Sequence, residues 1–156
     1  VSSINPLNVL ATQAKVQNEA AQKAGLTFSL TSDVDEPSVL AEPTYLHEAV
    51  GRLVENAIQY RRAGSRQIRL SVTFIEGYIG LRVADDGLGI PAEQLARLRN
   101  PFEQIDRDNR VLPGIGLGLA QVRHIARLHG GHLQIESEEG VGSTFTLWLP
   151  LPPKTA

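Results

Sequence analysis

The stretch RQIRLSVTFIEGYIGLRVADDGLGIP, Arg66 to Pro91, contains two runs of alternating apolar and polar residues on either side of Glu76-Gly77. Alternation with a period of two is typical of half-buried strands, and a short connection containing glycine joins such strands into an antiparallel hairpin. Parallel strands need a much longer crossover. The stretch therefore favours an antiparallel sheet over a parallel βαβ arrangement.

The rest of the chain supplies helices and further strands. A second hairpin is predicted over HLQIESEEGVGSTFTLWLP, with its turn near Gly140, and shorter strands in LTFSLTS and around Val39 and Leu40. This order predicts an α+β fold, a two-layer α/β sandwich in which a mixed, mostly antiparallel sheet carries helices on one face. Helices are predicted from Ile4 to Ala24, from Pro43 to about Tyr60, from Ala92 to Arg99, and over GLGLAQVRHIARLHGG.

Composition narrows the class of protein. The chain has 156 residues, 42% hydrophobic and 21% charged, which predicts one domain over 1–156 with a frayed tail at 151–156. A net charge of -2 gives no broad attraction to nucleic acid or an anionic membrane. No apolar run approaches the roughly 20 residues of a membrane span. The absence of Cys excludes disulfides and thiolate metal sites, and the absence of Met predicts a piece of a longer protein.

Asp85 is the first candidate site residue. On a strand, side chains two residues apart share a face, so Asp85 continues the apolar face of Ile79, Leu81 and Val83. A carboxylate at the edge of the core is costly unless hydrogen bonds reach it. The glycines that follow let the backbone approach closely. Asp85 therefore either accepts bonds from nearby amides in a strand-ending turn or binds a ligand.

A glycine-rich segment provides the second candidate. GIGLGLAQV, Gly114 to Val122, places three glycines at alternate positions directly before a predicted helix. Free amides and the helix dipole favour an anion at such a helix start. The segment lacks the Lys-Ser or Lys-Thr of a P-loop, and it does not follow a strand as a dinucleotide fingerprint does. It is either a flexible connection or a phosphate site of another kind.

The helix from Pro43 carries the third candidate. Glu48, Arg52 and Asn56 lie at i, i+4 and i+8 on a polar stripe. Asn is a poor helix former, and its amide oxygen is a suitable hard ligand for Mg²⁺. Taken alone, Asn56 is more simply a solvated surface residue. The adjacent stripe is apolar and predicted to be buried, and it consists of Leu46, Val50, Leu53 and Ala57.

Five motifs in order resemble the ATP-binding domain of bacterial sensor histidine kinases, in the family that also includes gyrase B, Hsp90, MutL and the anti-sigma serine kinases. HEAVGRLVENAIQY is similar to the family's N box, VADDGLGIP to its first glycine box, and PFEQIDR to its F box. GIGLGLAQVRHIARLHGGHLQIES is similar to its second glycine box, and GVGSTFTLWLP to its closing strand signature. The resemblance covers residues 40–150 and implies the Bergerat-type ATP-binding fold.

The resemblance also implies roles for individual residues. Asp85 would accept a hydrogen bond from the adenine amino group, which would favour ATP over GTP. Asn56 would hold Mg²⁺, and Glu48 would either polarise the phosphoacceptor histidine or remain a surface acid. Thr144 would reach the adenine through its hydroxyl. Residues 103–113 would form a lid over the phosphates. The other implied nucleotide contacts are Tyr60, Gly87, Gly89, Ile90, Phe102, Arg107, Arg110, Gly114, Gly116, Leu117, Gly118 and Leu119.

The sequence departs from the family pattern near the metal position. Arg52 stands where many histidine kinases have a second Asn, and Gln59 stands where a Lys is common. Arg52 would either add positive charge near the phosphates or pair with Glu48 one turn away. Pro113 and Ile115 replace a usual Gly and Thr at the end of the lid. The departures at Arg52 and Gln59 affect metal binding and phosphate charge compensation. Those at Pro113 and Ile115 would stiffen the lid.

The implied function is phosphotransfer from Mg-ATP to a histidine. No phosphoacceptor motif is present, since His47 lies inside the N box, so the acceptor is expected on a separate dimerisation and phosphoacceptor domain of the parent kinase. Residues 1–24 are expected to lead from that domain. A response regulator would receive the phosphate indirectly, and the fragment is expected to be cytoplasmic and monomeric, without a nucleic-acid partner. The alternative is a nucleotide-gated interaction module without phosphotransfer, which Arg52 and Gln59 favour.

Overall fold

The computed structural model describes residues 1–99 and 115–153. The helices and strands follow the predicted order along the chain, with one exception at the N-terminus. In chain order they are β1 (Ser2–Ile4), α1 (Pro6–Val16), α2 (Asn18–Lys23), β2 (Thr27–Ser32), β3 (Val39–Ala41), α3 (Pro43–Gln59), β4 (Gln67–Ile75), β5 (Tyr78–Asp85), α4 (Ala92–Arg99), α5 (Ile115–Leu128), β6 (His132–Glu138) and β7 (Gly142–Pro150).

The main sheet has five strands in the order β2-β4-β5-β7-β6. β2 runs parallel to β4, and the other three pairings are antiparallel. The two predicted hairpins, β4-β5 and β6-β7, turn through glycines with positive φ, Gly77 at 85° and Gly140 at 81°. The prediction of a mixed, mostly antiparallel sheet with helices on one face is confirmed.

The predicted helix from Ile4 to Ala24 is wrong at its start and in its continuity. Residues Ser2–Ile4 form β1, which pairs antiparallel with β3 in a separate two-stranded sheet. The helix begins only at Pro6, where the Asn5 side chain accepts the Leu7 N–H at 2.9 Å, and it breaks at Gln17 before α2. A local pattern did not reveal the partner strand, because β3 lies more than thirty residues further along the chain.

The core lies between the five-stranded sheet and helices α1, α3 and α5. The predicted apolar stripe of α3 is confirmed, because Leu46, Val50, Leu53 and Ala57 are all buried. From the sheet, alternate residues of each strand face these helices, among them Leu70, Leu81, Phe145 and Leu147. Among the described residues, no helix combines the length and hydropathy needed to cross a membrane.

Strand pairing and helix packing place the candidate residues at one end of this core. Asp85 is the last residue of β5 and pairs with Ser143 at the start of β7. Asn56 lies in the last turn of α3, which packs against α5. The C-terminal end of α3 and the N-terminal part of α5 therefore meet beside the end of β5.

Candidate functional site

Asp85 is the best-defined polar residue of the site. Its Oδ1 accepts the Gly87 N–H at 2.9 Å and the Ser143 N–H at 3.2 Å. Its Oδ2 makes no hydrogen bond with the residues that the structure describes. Two backbone amides thus fix the orientation of the carboxylate and leave one oxygen available to a ligand.

The glycines after Asp85 are required by close backbone contacts. A Cβ at Gly87 would lie 2.6 Å from the Tyr60 carbonyl oxygen, and one at Gly89 would lie 2.1 Å from that of Glu138. Gly89 also has φ +70°, a backbone conformation that is unfavourable for residues with a Cβ. Both positions therefore need glycine, as the sequence predicts for a loop that passes close to other backbone.

A cavity of about 10 Å³, the space of about one water molecule, lies beside Asp85. Asn56 and Tyr60 come from the end of α3, and two residues come from β7, so four separate segments of the chain form its wall. Ile90 is 1% exposed and donates its N–H to Ser137 Oγ at 2.8 Å, which fixes the loop after Asp85 against β6. The lining residues are Asn56, Tyr60, Asp85, Gly89, Ile90, Ser143 and Phe145.

Asn56 is buried, at 9% exposure, rather than a solvated surface residue. Its Nδ2 is buried without a hydrogen-bond partner among the described residues. Its Oδ1 faces α5, since a Cβ added to Gly118 would lie 3.9 Å from that oxygen. A buried amide with an unused donor costs about 1–3 kcal/mol, so this residue is poorly explained by folding alone.

The first turn of α5 faces Asn56 and carries three of the predicted phosphate contacts. Gly116, Leu117 and Gly118 belong to this helix, whose amides and dipole favour an anion. Leu119 is fully buried in the hydrophobic core and is not among the residues that line the cavity. Phe102, Arg107, Arg110, Gly114 and the predicted lid at 103–113 lie outside the described residues.

Glu48 and Arg52 are half-buried on α3 and do not line the cavity. The expected ion pair between them is absent. The ion pairs within the described ranges join the N-terminus to Glu42 and Lys23 to Glu19. The i, i+4 spacing permits a pair on a helix but does not ensure one, because an ion pair that water still reaches gains little over hydration.

The closing strand reaches the cavity through Ser143 and Phe145 rather than Thr144. Successive side chains of a strand point to opposite faces. Phe145 shares the core face of β7 with Leu147, and Thr144 lies on the other face in register with Ala84. The sequence could have predicted this, because side chains two residues apart share a face. Counting back from Leu147 and Phe145 places Ser143 on the same face of β7.

Burial raises the pKa of Asp85 to about 6. The hydrogen bonds from Gly87 and Ser143 favour the charged form and partly oppose this effect, and the neighbouring charge of Asp86 adds to it. Burial also raises the pKa of Tyr60. A carboxyl group with a raised pKa in a cavity is typical of a functional site.

Comparison with known proteins defines the class. Residues 41–153 match the family described as histidine kinase-, DNA gyrase B-, and HSP90-like ATPase, and the chain belongs to this family. Sensor histidine kinase ZraS of Escherichia coli is 35% identical over 148 residues, which are 93% of this chain and 30% of ZraS. Circadian input-output histidine kinase CikA of Synechococcus elongatus is 40% identical over 113 residues, which are 70% of this chain and 15% of CikA. The chain thus spans less than a third of these relatives.

Solved structures agree with this assignment. Full-length ShkA in complex with AMPPNP is 26% identical and superimposes with a TM-score of 0.80 over 99% of this chain and 32% of ShkA. The catalytic domain of histidine kinase ThkA, 24% identical, gives a TM-score of 0.79 over 97% of this chain and 98% of that domain. The resemblance found in the sequence is therefore confirmed at the level of family and fold.

Proposed function

We propose that this chain binds ATP with Mg²⁺ and transfers the γ-phosphate to a histidine on a separate phosphoacceptor domain of its parent sensor kinase. The observation that carries the proposal is the arrangement of Asp85, whose Oδ1 is held by two backbone amides while Oδ2 has no partner among the described residues. That oxygen is an acceptor at a cavity, as recognition of an amino group requires.

Adenine fits this acceptor better than guanine. The adenine amino group would donate to Oδ2 of Asp85, whereas guanine presents a carbonyl oxygen at the same position. Two acceptors facing each other in a partly buried site would cost about 1–3 kcal/mol. Gly89 and Ile90 line the cavity beside Asp85, so the base would stack against backbone and an apolar side chain.

The phosphates would lie toward α5. The N-terminal turn of α5 contains two glycines and faces Asn56, so the helix amides and dipole would receive negative charge there. Asn56 fits the requirements of Mg²⁺, which takes few protein ligands and prefers oxygen. When bound, Mg²⁺ would supply positive charge that offsets the charge of the phosphates. Glu48 would act on the acceptor histidine rather than on the nucleotide, because it is outside the cavity.

The comparisons support both parts of the proposal, the kinase activity and the nucleotide. The curated relatives are named as sensor histidine kinases, and this chain corresponds to less than a third of their length. The structurally similar ShkA was solved with AMPPNP. In this proposal the chain belongs to the cytoplasmic part of a larger kinase, and a response regulator would receive the phosphate.

A nucleotide-gated interaction module is the second candidate. Arg52 occupies the position of a second Asn in many relatives, and in this structure it forms no ion pair with Glu48. A domain of this kind would bind ATP and change its contacts with other domains without transferring phosphate.

Phosphotransfer to the phosphoacceptor segment of the parent kinase, with ATP labelled at the γ position, separates the two candidates. The kinase is expected to label the segment, and an Asp85→Asn chain is expected not to. ATP binding without labelling would favour the interaction module. Absence of ATP binding by the unmodified chain would refute both.

A further inference from the structure

Trp148 lies on the face of the sheet opposite the helices. It pairs in register with Gly80 of β5 and His132 of β6, and its ring lies over Gly80, where an added Cβ would be 2.8 Å from Cζ3. Its indole N–H donates to Gln134 Oε1 at 2.8 Å. Although it is only 3% exposed, Trp148 stands apart from the hydrophobic core cluster. The sheet thus has an aromatic site on its second face.

A cavity of about 620 Å³ adjoins this tryptophan at the edge formed by β6 and α5. Its volume falls within the range of small-molecule sites, roughly 300–1,000 Å³. The wall is mainly apolar on the sheet side and cationic on the helix side. The lining residues are Ile75, Arg123, Arg127, His132, Leu133, Gln134, Ile135 and Trp148.

The two arginines are one helical turn apart on α5 and carry the same charge. Arg123 is half-buried, and Arg127 is exposed. Burial and the charge of Arg127 both lower the pKa of Arg123. Neither arginine takes part in an ion pair within residues 1–99 and 115–153. An anion in the cavity would relieve this repulsion and would be held by donors of fixed, planar geometry.

We propose that this cavity is a second ligand site, which binds an organic anion with an aromatic or aliphatic body. The anionic group would contact Arg123 and Arg127 on the helix side, the body would lie against Leu133 at the edge of β6, and Trp148 would adjoin it from the other face of the sheet. A small inorganic anion would leave the apolar wall uncovered, and a neutral apolar compound would leave the arginine charges uncompensated. The site is separate from the nucleotide cavity, since Trp148 is five residues along β7 from Ser143, about 17 Å.

Trp148 provides a direct probe, because it is the single tryptophan of the chain. The experiment titrates the chain with 8-anilinonaphthalene-1-sulfonate and follows the one indole N–H signal by NMR, with affinity measured by calorimetry. N-phenyl-1-naphthylamine has the same aromatic rings without the sulfonate charge, and methanesulfonate has the sulfonate without the rings. Each tests one half of the proposed recognition. Arg123→Gln and Arg127→Gln remove each cation, and Arg69→Gln is the matched control, an exposed arginine outside the cavity.

The expected result is saturable binding of one sulfonate per chain, with a shift of the Trp148 indole signal. Each cavity variant should weaken binding about tenfold, since a lost charge-assisted hydrogen bond is worth 1.5 kcal/mol or more, while Arg69→Gln should not change it. The neutral analogue and methanesulfonate should bind more weakly by a similar factor. An unmoved indole signal, or equal affinity of the cavity variants and the unmodified chain, would overturn the proposal.

Discussion

The Ser143 N–H on β7 donates to Oδ1 of Asp85 on β5 at 3.2 Å, between residues that are paired in the antiparallel ladder. The Gly87 N–H reaches the same oxygen from the loop that follows β5. The strand register and the loop geometry together fix the position of Oδ1 and direct Oδ2 toward the cavity. We expect the selectivity of the site to depend on this arrangement more than on the carboxylate alone.

Substitution of Asp85 by Asn should abolish the preference for ATP. In the variant, Nδ2 replaces the ligand-facing oxygen and presents a donor to the adenine amino group. We expect ATP affinity to fall at least about tenfold, as measured by calorimetry with ATP and GTP. Asp86→Asn is the matched control, because Oδ2 of Asp86 accepts the Arg66 N–H at 3.0 Å and Asp86 is outside the cavity. Equal losses in the two variants would contradict the assignment.

The stability of the ligand-free chain should depend on pH through Asp85. The pKa of Asp85 is raised to about 6 in the folded chain. Its contribution to the free energy of unfolding is therefore fully present below the pKa of Asp85 in the unfolded chain, and it is lost as pH rises through 6. Between pH 5 and pH 8 this amounts to about 1 kcal/mol. Urea unfolding at both pH values measures it, and Asp85→Asn should lack this part of the pH dependence. A parallel pH dependence in the two proteins would show that other groups are responsible.

Substitution of Gly89 by Ala should destabilise the fold strongly. The new Cβ would lie 2.1 Å from the Glu138 carbonyl oxygen, in a backbone conformation with φ +70°. We expect a loss of more than about 2 kcal/mol in the free energy of unfolding. Gly140→Ala separates the two causes, since Gly140 has φ +81° and no atom within 4 Å of an added Cβ, and it should lose only about 1 kcal/mol. Similar losses would indicate that backbone conformation alone is important.

Removal of the Asn56 amide should uncouple ATP binding from Mg²⁺. In the unmodified chain, Mg²⁺ is expected to raise ATP affinity. In Asn56→Ala this gain in affinity should shrink at least about tenfold, because loss of even an outer-shell partner of a metal has an effect of that size. Calorimetry with and without Mg²⁺ gives the ratio directly. Glu55→Ala, at an exposed position of the same helix, is the control and should keep the gain. A preserved gain in Asn56→Ala would exclude Asn56 as a ligand.

His129 joins the two helices of the site at their distant ends. The Glu42 N–H donates to its Nε2 at 3.0 Å, and its Nδ1 then carries the proton and donates to the Ile125 carbonyl at 2.7 Å. We expect His129→Ala to lose about 1–3 kcal/mol of unfolding free energy, because the Glu42 N–H at the start of α3 loses its partner. His124→Ala, at an exposed position of α5, should stay within about 0.5 kcal/mol. Urea unfolding of both variants tests this difference.

Most elements could be predicted because they follow from local patterns. The alternation in β4, β5, β6 and β7 and the apolar stripe of α3 are properties of short segments, and both are present in the structure. The strand at Ser2–Ile4 could not be predicted in this way, because it exists only through its pairing with Val39–Ala41. Three residues without a partner strand have no periodicity that distinguishes them from a helix start.

By itself, the sequence determined the motifs, their order, and the position of Asp85 at the end of an apolar strand face. Tertiary structure decided which residues complete the site. Ser143, which lies 58 residues from Asp85, meets it through the register of β5 and β7. Asn56 is buried where α3 packs against α5. The cavity beside Trp148 also depends on residues from separate strands and a helix. Side-chain periodicity is a local property, whereas register and burial depend on contacts between distant segments.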